Sequence, residues 1–265
     1  MSSERPLVVV PTYVREPDDV DTTVAAVKSV RDTDHGNVDI LLVDDGSPEA
    51  DLVDRLAENV SEFRAEIFRK DENTGFSRTV NVGLRRALQE GRDAILMNAD
   101  VEIMTPGWLG RFQNTEDGKG RPAAVVGALL LYPNGLIQHG GVYFSLLTRS
   151  FDHMWKYSPM DLPDAHVRRN CPVTAAFQFI RHETLTVIGP YDEEFYMAWE
   201  DVDFCLRVFQ SGLQCVYNPD VRAWHHEMLF RGRPSPKIQE WQAKSWMRLA
   251  EKWKHTSFND LVPFT

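Results

Sequence analysis

The first hundred residues alternate short apolar runs with stretches whose apolar residues recur at helical spacing, and most of the runs stop at a small polar cluster. Leu7 to Val10 ends at Pro11-Thr12-Tyr13. Ile40 to Val43 ends at Asp44-Asp45-Gly46-Ser47, and Ala94 to Met97 ends at Asn98-Ala99-Asp100. Ile67 and Phe68 mark a further short strand. Between these runs, Val24, Val27 and Val30, then Leu52, Leu56 and Val60, then Val80, Leu84, Ala87 and Leu88 fall at the spacing of a helix face. Strands alternating with helices build a mostly parallel sheet with helices on both sides. The chain is therefore expected to be α/β. In such sheets ligands bind beyond the carboxyl ends of the strands, so the polar clusters are expected to converge on one edge.

The second half is less regular. Ala123 to Leu131 and Ala175 to Ile180 read as strands, and Val221 to Trp224 as a last strand. Asp201 to Gln210 reads as a helix with Val202, Cys205, Leu206 and Phe209 on one face, and Pro236 to Trp253 as a final helix. Residues 132–170 mix Pro, Gly, aromatics and His and are expected to be a loop-rich acceptor region. No repeat or linker interrupts the 265 residues, which suit a single domain. We divide it into a nucleotide-binding half (1–105), an acceptor and catalytic half (106–230) and a C-terminal helical extension (231–265).

The net charge of −10 works against a general nucleic-acid-binding surface, which needs a basic footprint. No run approaches the roughly 18 apolar residues of a membrane span, and no signal-peptide pattern opens the chain, so a cytoplasmic protein is expected. Cys171, Cys205 and Cys215 are odd in number and scattered, the pattern of buried free thiols rather than a disulfide framework. The basic stretch Arg231 to Lys254 carries Trp241, Trp246 and Trp253. It reads either as a weak membrane-surface anchor or as a helix packing its Trp side chains on the core, and the second reading is favoured.

Several short clusters can carry chemistry. Asp44 and Asp45 could accept hydrogen bonds from a base or ribose, or close an ordinary Asx turn. Asn98, Asp100 and Glu102 follow a strand end, where a carboxylate is either a hard-metal ligand or a solvated turn residue. Glu200, Asp201 and Asp203 crowd three carboxylates at a helix start; the helix dipole accounts for part of this, and mutual repulsion suits a general base. His225 and His226 follow the last strand, and one of them could complete a metal site with Asp100. Asn73 and Gly75 sit where backbone amides can approach a phosphate or base, or where Asn73 simply caps a helix. Gln138-His139-Gly140-Gly141 is a polar turn that could face donor or acceptor.

The order of these clusters is more specific than any one of them. Val8 to Tyr13, Val43 to Ser47, Asn73 to Phe76, Asn98 to Asp100, Gln138 to Gly141, Asp192 to Phe195, Trp199 to Asp203 and His225-His226 follow one another in a series. It resembles the family-2 glycosyltransferases of GT-A fold, particularly the rhamnosyl- and galactofuranosyltransferase-like members, over roughly residues 6–228. The resemblance implies a Rossmann-like sheet with a smaller acceptor-side region, and inverting transfer from a UDP- or dTDP-sugar assisted by Mn²⁺ or Mg²⁺. The acceptor would be a glycan, a lipid-linked glycan or another hydroxyl compound. By the same resemblance Pro11, Thr12, Tyr13, Asp44, Asp45, Asn73, Gly75, Asn98 and Ala99 hold the nucleotide. Asp100 and His225 hold the metal, Asp201 is the catalytic base, and Glu200 and Asp203 support it or bind acceptor hydroxyls. The sequence departs from the family's Asp-any-Asp pattern at Asn98. The competing readings are a nucleotide-sugar-binding protein that has lost catalysis, against which Asp100, Asp201 and His225 count, and a nucleotidyltransferase. The latter expects a glycine-rich loop after the first strand, where Pro11 to Pro17 has no glycine.

Overall fold

The computed structural model describes residues 5–34, 36–227 and 236–256. Its first strand, β1 (Leu7–Thr12), is followed by α1 (Pro17–Asp34), β2 (Asp39–Asp44), α2 (Ala50–Ser61), β3 (Ala65–Arg69), α3 (Phe76–Gln89) and β4 (Ala94–Met97). β1 pairs in parallel with β2 on one side and β4 on the other, and β2 pairs in parallel with β3. The chain thus leaves β1 in one direction and returns to the other side at β4. That reversal opens a crevice at the carboxyl ends of the strands, where ligands of open α/β sheets bind.

Alternate residues of the central strands serve opposite faces. Leu7, Val9, Leu41, Val43 and Leu96 pack with Val80, Leu84 and Ala87 of α3. Val8, Val10, Ile40, Leu42 and Ile95 pack with Val27 and Val30 of α1 and Leu56 and Val60 of α2. Covering both faces explains why these strands read as unbroken apolar runs. Each fully buried Val or Leu contributes on the order of 1.5–3 kcal/mol. Gly83 permits the closest approach: a Cβ there would lie 2.4 Å from Val9 Cγ2.

The second half continues with β5 (Val101–Ile103), α4 (Trp108–Gln113), β6 (Val125–Leu131), β7 (Ile137–His139), β8 (Val142–Ser145), β9 (Ser150–His153), β10 (Arg169–Asn170), β11 (Phe177–Ile180), α5 (His182–Ile188), α6 (Glu200–Gln210), β12 (Cys215–His225) and α7 (Pro236–Lys252). β11 enters between β4 and β6, antiparallel to both, and β12 runs parallel to β6. The large sheet is therefore mixed, with its parallel block in the first half. Residues 132–170 are loop-rich, as expected, and also hold β7 and the two-stranded ribbon β8–β9. The last strand begins at Cys215 rather than Val221; an irregularity between Asn218 and Arg222, around Pro219, hides its first half from a periodicity reading.

The three cysteines are buried and free. No described helix is long and apolar enough to cross a membrane. The C-terminal tryptophans pack against the rest of the fold: Trp253 is buried, Trp246 meets Trp199 at 5.2 Å between ring centres, and Trp241 lies 4.3 Å from Tyr196. Residues 231–235 and 257–265 of the extension lie outside the described residues.

Candidate active site

A cavity of about 570 Å³ opens at the carboxyl ends of β1, β2 and β4 and extends toward α6, the end of β12 and the start of α7. Pro11, Thr12 and Tyr13, Asp45, Asn73 and Gly75, and Asn98, Ala99 and Asp100 all line it, as do Glu200, Asp201 and His225. Of the residues that the family resemblance assigns to the nucleotide, the metal or the base, Asp44 and Asp203 do not.

Asp44 is the turn residue. Its carboxylate accepts the amide N–H of Ser47 at 3.2 Å and the Ser47 hydroxyl, with Arg69 Nε at 3.6 Å. Burial nevertheless pushes its pKa above the usual carboxylate value. Asp44 thus forms the Asx turn, and Asp45 is the one of the two that lines the cavity. Asp45 accepts the backbone N–H groups of Thr74 and Gly75 at 2.9 and 3.0 Å and pairs with Lys70. It ties the end of β2 to the loop that starts α3. Gly75 has φ +89°, and a Cβ there would meet the Tyr196 carbonyl at 2.5 Å, so only glycine lets this loop pass under the segment leading to α6. Asn73 accepts the Tyr196 hydroxyl at 2.5 Å across the same junction. The Thr12 hydroxyl is buried at the cavity wall without a hydrogen-bond partner among the described residues.

Asp100 and His225 meet at the cavity floor, His225 Nε2 lying 3.2 Å from Asp100 Oδ1 with both side chains nearly buried. Gln138 fixes the imidazole. Its Nε2 donates to Glu227 at 3.1 Å, so its Oε1 is the atom that accepts His225 Nδ1–H at 2.5 Å. His225 Nε2 then carries a lone pair toward the cavity. Asn98 Nδ2 stands 3.4 Å from it, and Asn98 Oδ1 is buried without a partner among the described residues. An imidazole nitrogen and a carboxylate oxygen side by side, with an amide next to them, are donor types that suit a divalent cation. Among the described residues no group of three or more His, Cys, Asp and Glu side chains surrounds a common point, so the protein would supply a small part of a coordination shell. His226 is turned away and pairs with Glu102 at 2.8 Å, which separates the two adjacent histidines.

Asp201 opens α6. Ala175 N–H donates to its Oδ2 at 3.2 Å and Val202 N–H to its Oδ1 at 2.8 Å, leaving lone pairs for a further partner. The two residues that lead into it, Ala198 and Trp199, have φ +65° and +68°. Left-handed backbone at two successive non-glycine residues is strained, and such strain persists only where the surroundings enforce it. Here α7 does so: Ser245 Oγ donates to Met197 O at 2.8 Å, and Trp246 and Trp241 pack on Trp199 and Tyr196. Asp203 belongs to this brace. It is fully buried and accepts Trp253 Nε1–H at 2.9 Å, Lys252 Nζ at 2.9 Å and Arg207 Nε at 3.0 Å. Asp203 thus anchors α7, with its oxygens committed to Trp253, Lys252 and Arg207.

The glycines of the Gln138 cluster also have a packing role. A Cβ on Gly140 would meet Trp155 at 2.3 Å and one on Gly141 the Cys171 sulfur at 2.5 Å, so they seat the β8–β9 ribbon rather than face a ligand. His153, Tyr196, Lys237 and Trp241 also line the cavity and were missed from the sequence. Their neighbours there come from distant elements, and no local pattern marks them.

The profile described as "Glycosyl transferase family 2" matches residues 7–159, more than half of the chain. The chain belongs to glycosyl transferase family 2. Among curated relatives of this family-2 chain, a Sinorhizobium fredii protein named "Uncharacterized protein y4gI" is 30% identical over 268 residues, covering 96% of the chain and 28% of that protein. The "O-antigen biosynthesis protein RfbC" of Myxococcus xanthus is 30% identical over 158 residues, covering 57% of the chain and 12% of that protein. The chain thus spans under a third of these relatives' length. Among solved structures, GalNAc-T7 with UDP, GalNAc and Mn²⁺ superposes with a TM-score of 0.71 at 18% identity, covering 94% of the chain and 48% of that structure. The Pyrobaculum calidifontis mannosyltransferase PcManGT, in complex with GDP-Man and Mn²⁺, gives 0.58 at 14% identity, covering 98% and 78%. At these identities the likeness establishes the GT-A fold of the family-2 chain.

Proposed function

We propose that this glycosyltransferase moves a sugar from a UDP- or dTDP-sugar to a hydroxyl of a glycan or lipid-linked glycan, with inversion at the transferred carbon. The observation that carries this reading is the convergence in one cavity of three groups that the sequence keeps far apart. They are the Thr12–Asp45–Asn73 wall, the Asp100–His225 pair and the Asp201 carboxylate.

Thr12, with its unmatched hydroxyl, and Tyr13, Asn73 and the Asp45-tethered loop receive the nucleoside. Asp100 and His225, with Asn98 beside them, would hold Mn²⁺ or Mg²⁺, which when bound would supply Lewis-acid stabilisation of a diphosphate leaving group. Asp201 takes the proton from the acceptor hydroxyl as it attacks, and two backbone N–H groups hold the carboxylate in place. Glu200, buried at the same helix start, shapes the floor beneath it.

Calorimetric titration with UDP, dTDP and GDP, each with Mn²⁺ and with EDTA, tests the donor site. Metal-dependent binding of UDP or dTDP supports it. Tighter binding of GDP moves the donor class to guanosine sugars, and failure of all three in folded protein sinks the reading.

A further inference from the structure

His153 on the cavity wall and His139 buried behind it form a pair of imidazoles that the proposed reaction does not use. His139, at the end of β7, is fully buried; His153, at the end of β9, is half-buried and lines the cavity beside Asp201. Their Nδ1 atoms lie 2.6 Å apart with the rings nearly perpendicular. One hydrogen must lie between these nitrogens, and the far side of His139 decides which ring owns it. The backbone N–H of Thr174 points at His139 Nε2 from 3.4 Å. An amide nitrogen only donates, so His139 Nε2 is an acceptor and a neutral His139 carries its hydrogen on Nδ1. His139 therefore donates to His153 Nδ1, and a neutral His153 is left with its hydrogen on Nε2, the ring nitrogen that His139 does not occupy. Burial pushes both imidazoles below the ordinary histidine range; His153 adds to the effect on His139, whereas Asp201 opposes it on His153.

The next amide along the chain reinforces the arrangement. Thr174 N–H holds His139, and Ala175 N–H holds Asp201 Oδ2 at 3.2 Å. Two successive backbone donors thus set the imidazole pair and the carboxylate in one frame. The residues proposed for the nucleoside come from the ends of β1, β2 and the β3–α3 loop, whereas His153 comes from the β8–β9 ribbon and lies close enough to Asp201 to feel its charge.

We infer that His153 is an acceptor-positioning residue whose Nε2–H, imposed by His139 and Thr174, donates a hydrogen bond to an oxygen of the acceptor sugar next to Asp201. A donor aimed at the attacking oxygen would draw off the lone pair that the attack needs. The partner is therefore a neighbouring hydroxyl or ring oxygen, and the reacting hydroxyl is left to Asp201. This assignment rests on the transferase reading above.

The test uses the full chain with ¹⁵N-labelled histidine. Long-range ¹H–¹⁵N correlation at neutral pH should show His139 as the Nδ1–H tautomer and His153 as the Nε2–H tautomer. A cationic His153, or one protonated on Nδ1, overturns the inference whatever the protein binds. With UDP and Mg²⁺ present, methyl α- and β-pyranosides of the gluco, galacto and rhamno series are then titrated, and at least one should move the His153 Nε2 signal. His153→Gln, which keeps a donor, should retain that binding, and His153→Met should weaken it about tenfold, while UDP affinity stays unchanged in both. The correct tautomer with no response to any pyranoside removes the acceptor role. Failure of wild-type protein to bind UDP, dTDP or GDP instead removes the transferase reading and leaves the tautomer result standing.

Discussion

Gln138 Oε1 accepts the Nδ1–H of His225 at 2.5 Å, and this bond sets the ring with its Nε2 beside Asp100 Oδ1, 3.2 Å away. A side chain from β7 thereby sets the tautomer of a residue at the end of β12. Partners of this kind orient metal-binding histidines and raise their basicity.

Gln138→Leu keeps the volume and removes the acceptor. Metal-dependent nucleotide affinity is expected to fall by about 10–100-fold, with binding in EDTA unchanged. Titration of UDP, dTDP and GDP in Mn²⁺ and in EDTA measures both; equal affinity for wild type and variant in Mn²⁺ would remove His225 from the metal site.

Asp201 and Asp203 lie two residues apart and should respond oppositely. Asp201→Asn is expected to lower turnover by about 10²–10⁴-fold while nucleotide binding and thermal stability stay near wild type. Asp203→Asn leaves Arg207 and Lys252 without their buried partner and should cost about 2–4 kcal/mol of stability, read by urea unfolding. If Asp203→Asn unfolds like wild type, the brace through α7 is not what holds α6.

Acid should loosen that brace. Burial opposes ionisation of Asp192, but hydrogen bonds from Lys252 and Arg248 and from the Glu194 amide bring its pKa down to about 2. A carboxylate depressed in the folded state stabilises it above the unfolded value of 3.8, and the contribution disappears as pH falls from there through about 2. Because Lys252 and Arg248 are partly exposed, the contribution is on the order of 1 kcal/mol. The difference in urea midpoint between wild type and Asp192→Asn should be largest near pH 5 and vanish below pH ~2. A difference that grows on acidification contradicts the assignment.

Gly83→Ala inserts a methyl where α3 crosses β1, against the branched side chain of Val9. Alanine is the better helix former by about 1 kcal/mol, but overpacking a rigid contact costs about 1–3 kcal/mol. A net loss of stability is expected, and a rise in thermal midpoint would show that α3 shifts freely.

The sequence by itself determined the parallel block of the sheet, because strands covered on both faces must be apolar at every position and their helices must repeat at 3.6. It also located the chemistry: Thr12, Asp45, Asn98 and Asp100 end strands of that block, and strand ends are where such a sheet exposes polar groups. Membership of glycosyl transferase family 2 was legible in the ordered series of motifs for the same reason.

Only the tertiary structure divided the neighbours within each motif. Asp44 from Asp45, Asp201 from Asp203 and His225 from His226 are alike in residue type and local spacing. What separates them is which way the side chain leaves its strand or helix and which distant group meets it: Ser47 and Arg69 for Asp44, Trp253 and Lys252 for Asp203, Glu102 for His226. The places of His153 and Trp241 at the cavity were not marked by any local pattern. Their positions depend on contacts made across long stretches of chain, with His139 and with Tyr196, and those contacts exist only once the hairpin and the last helix have packed.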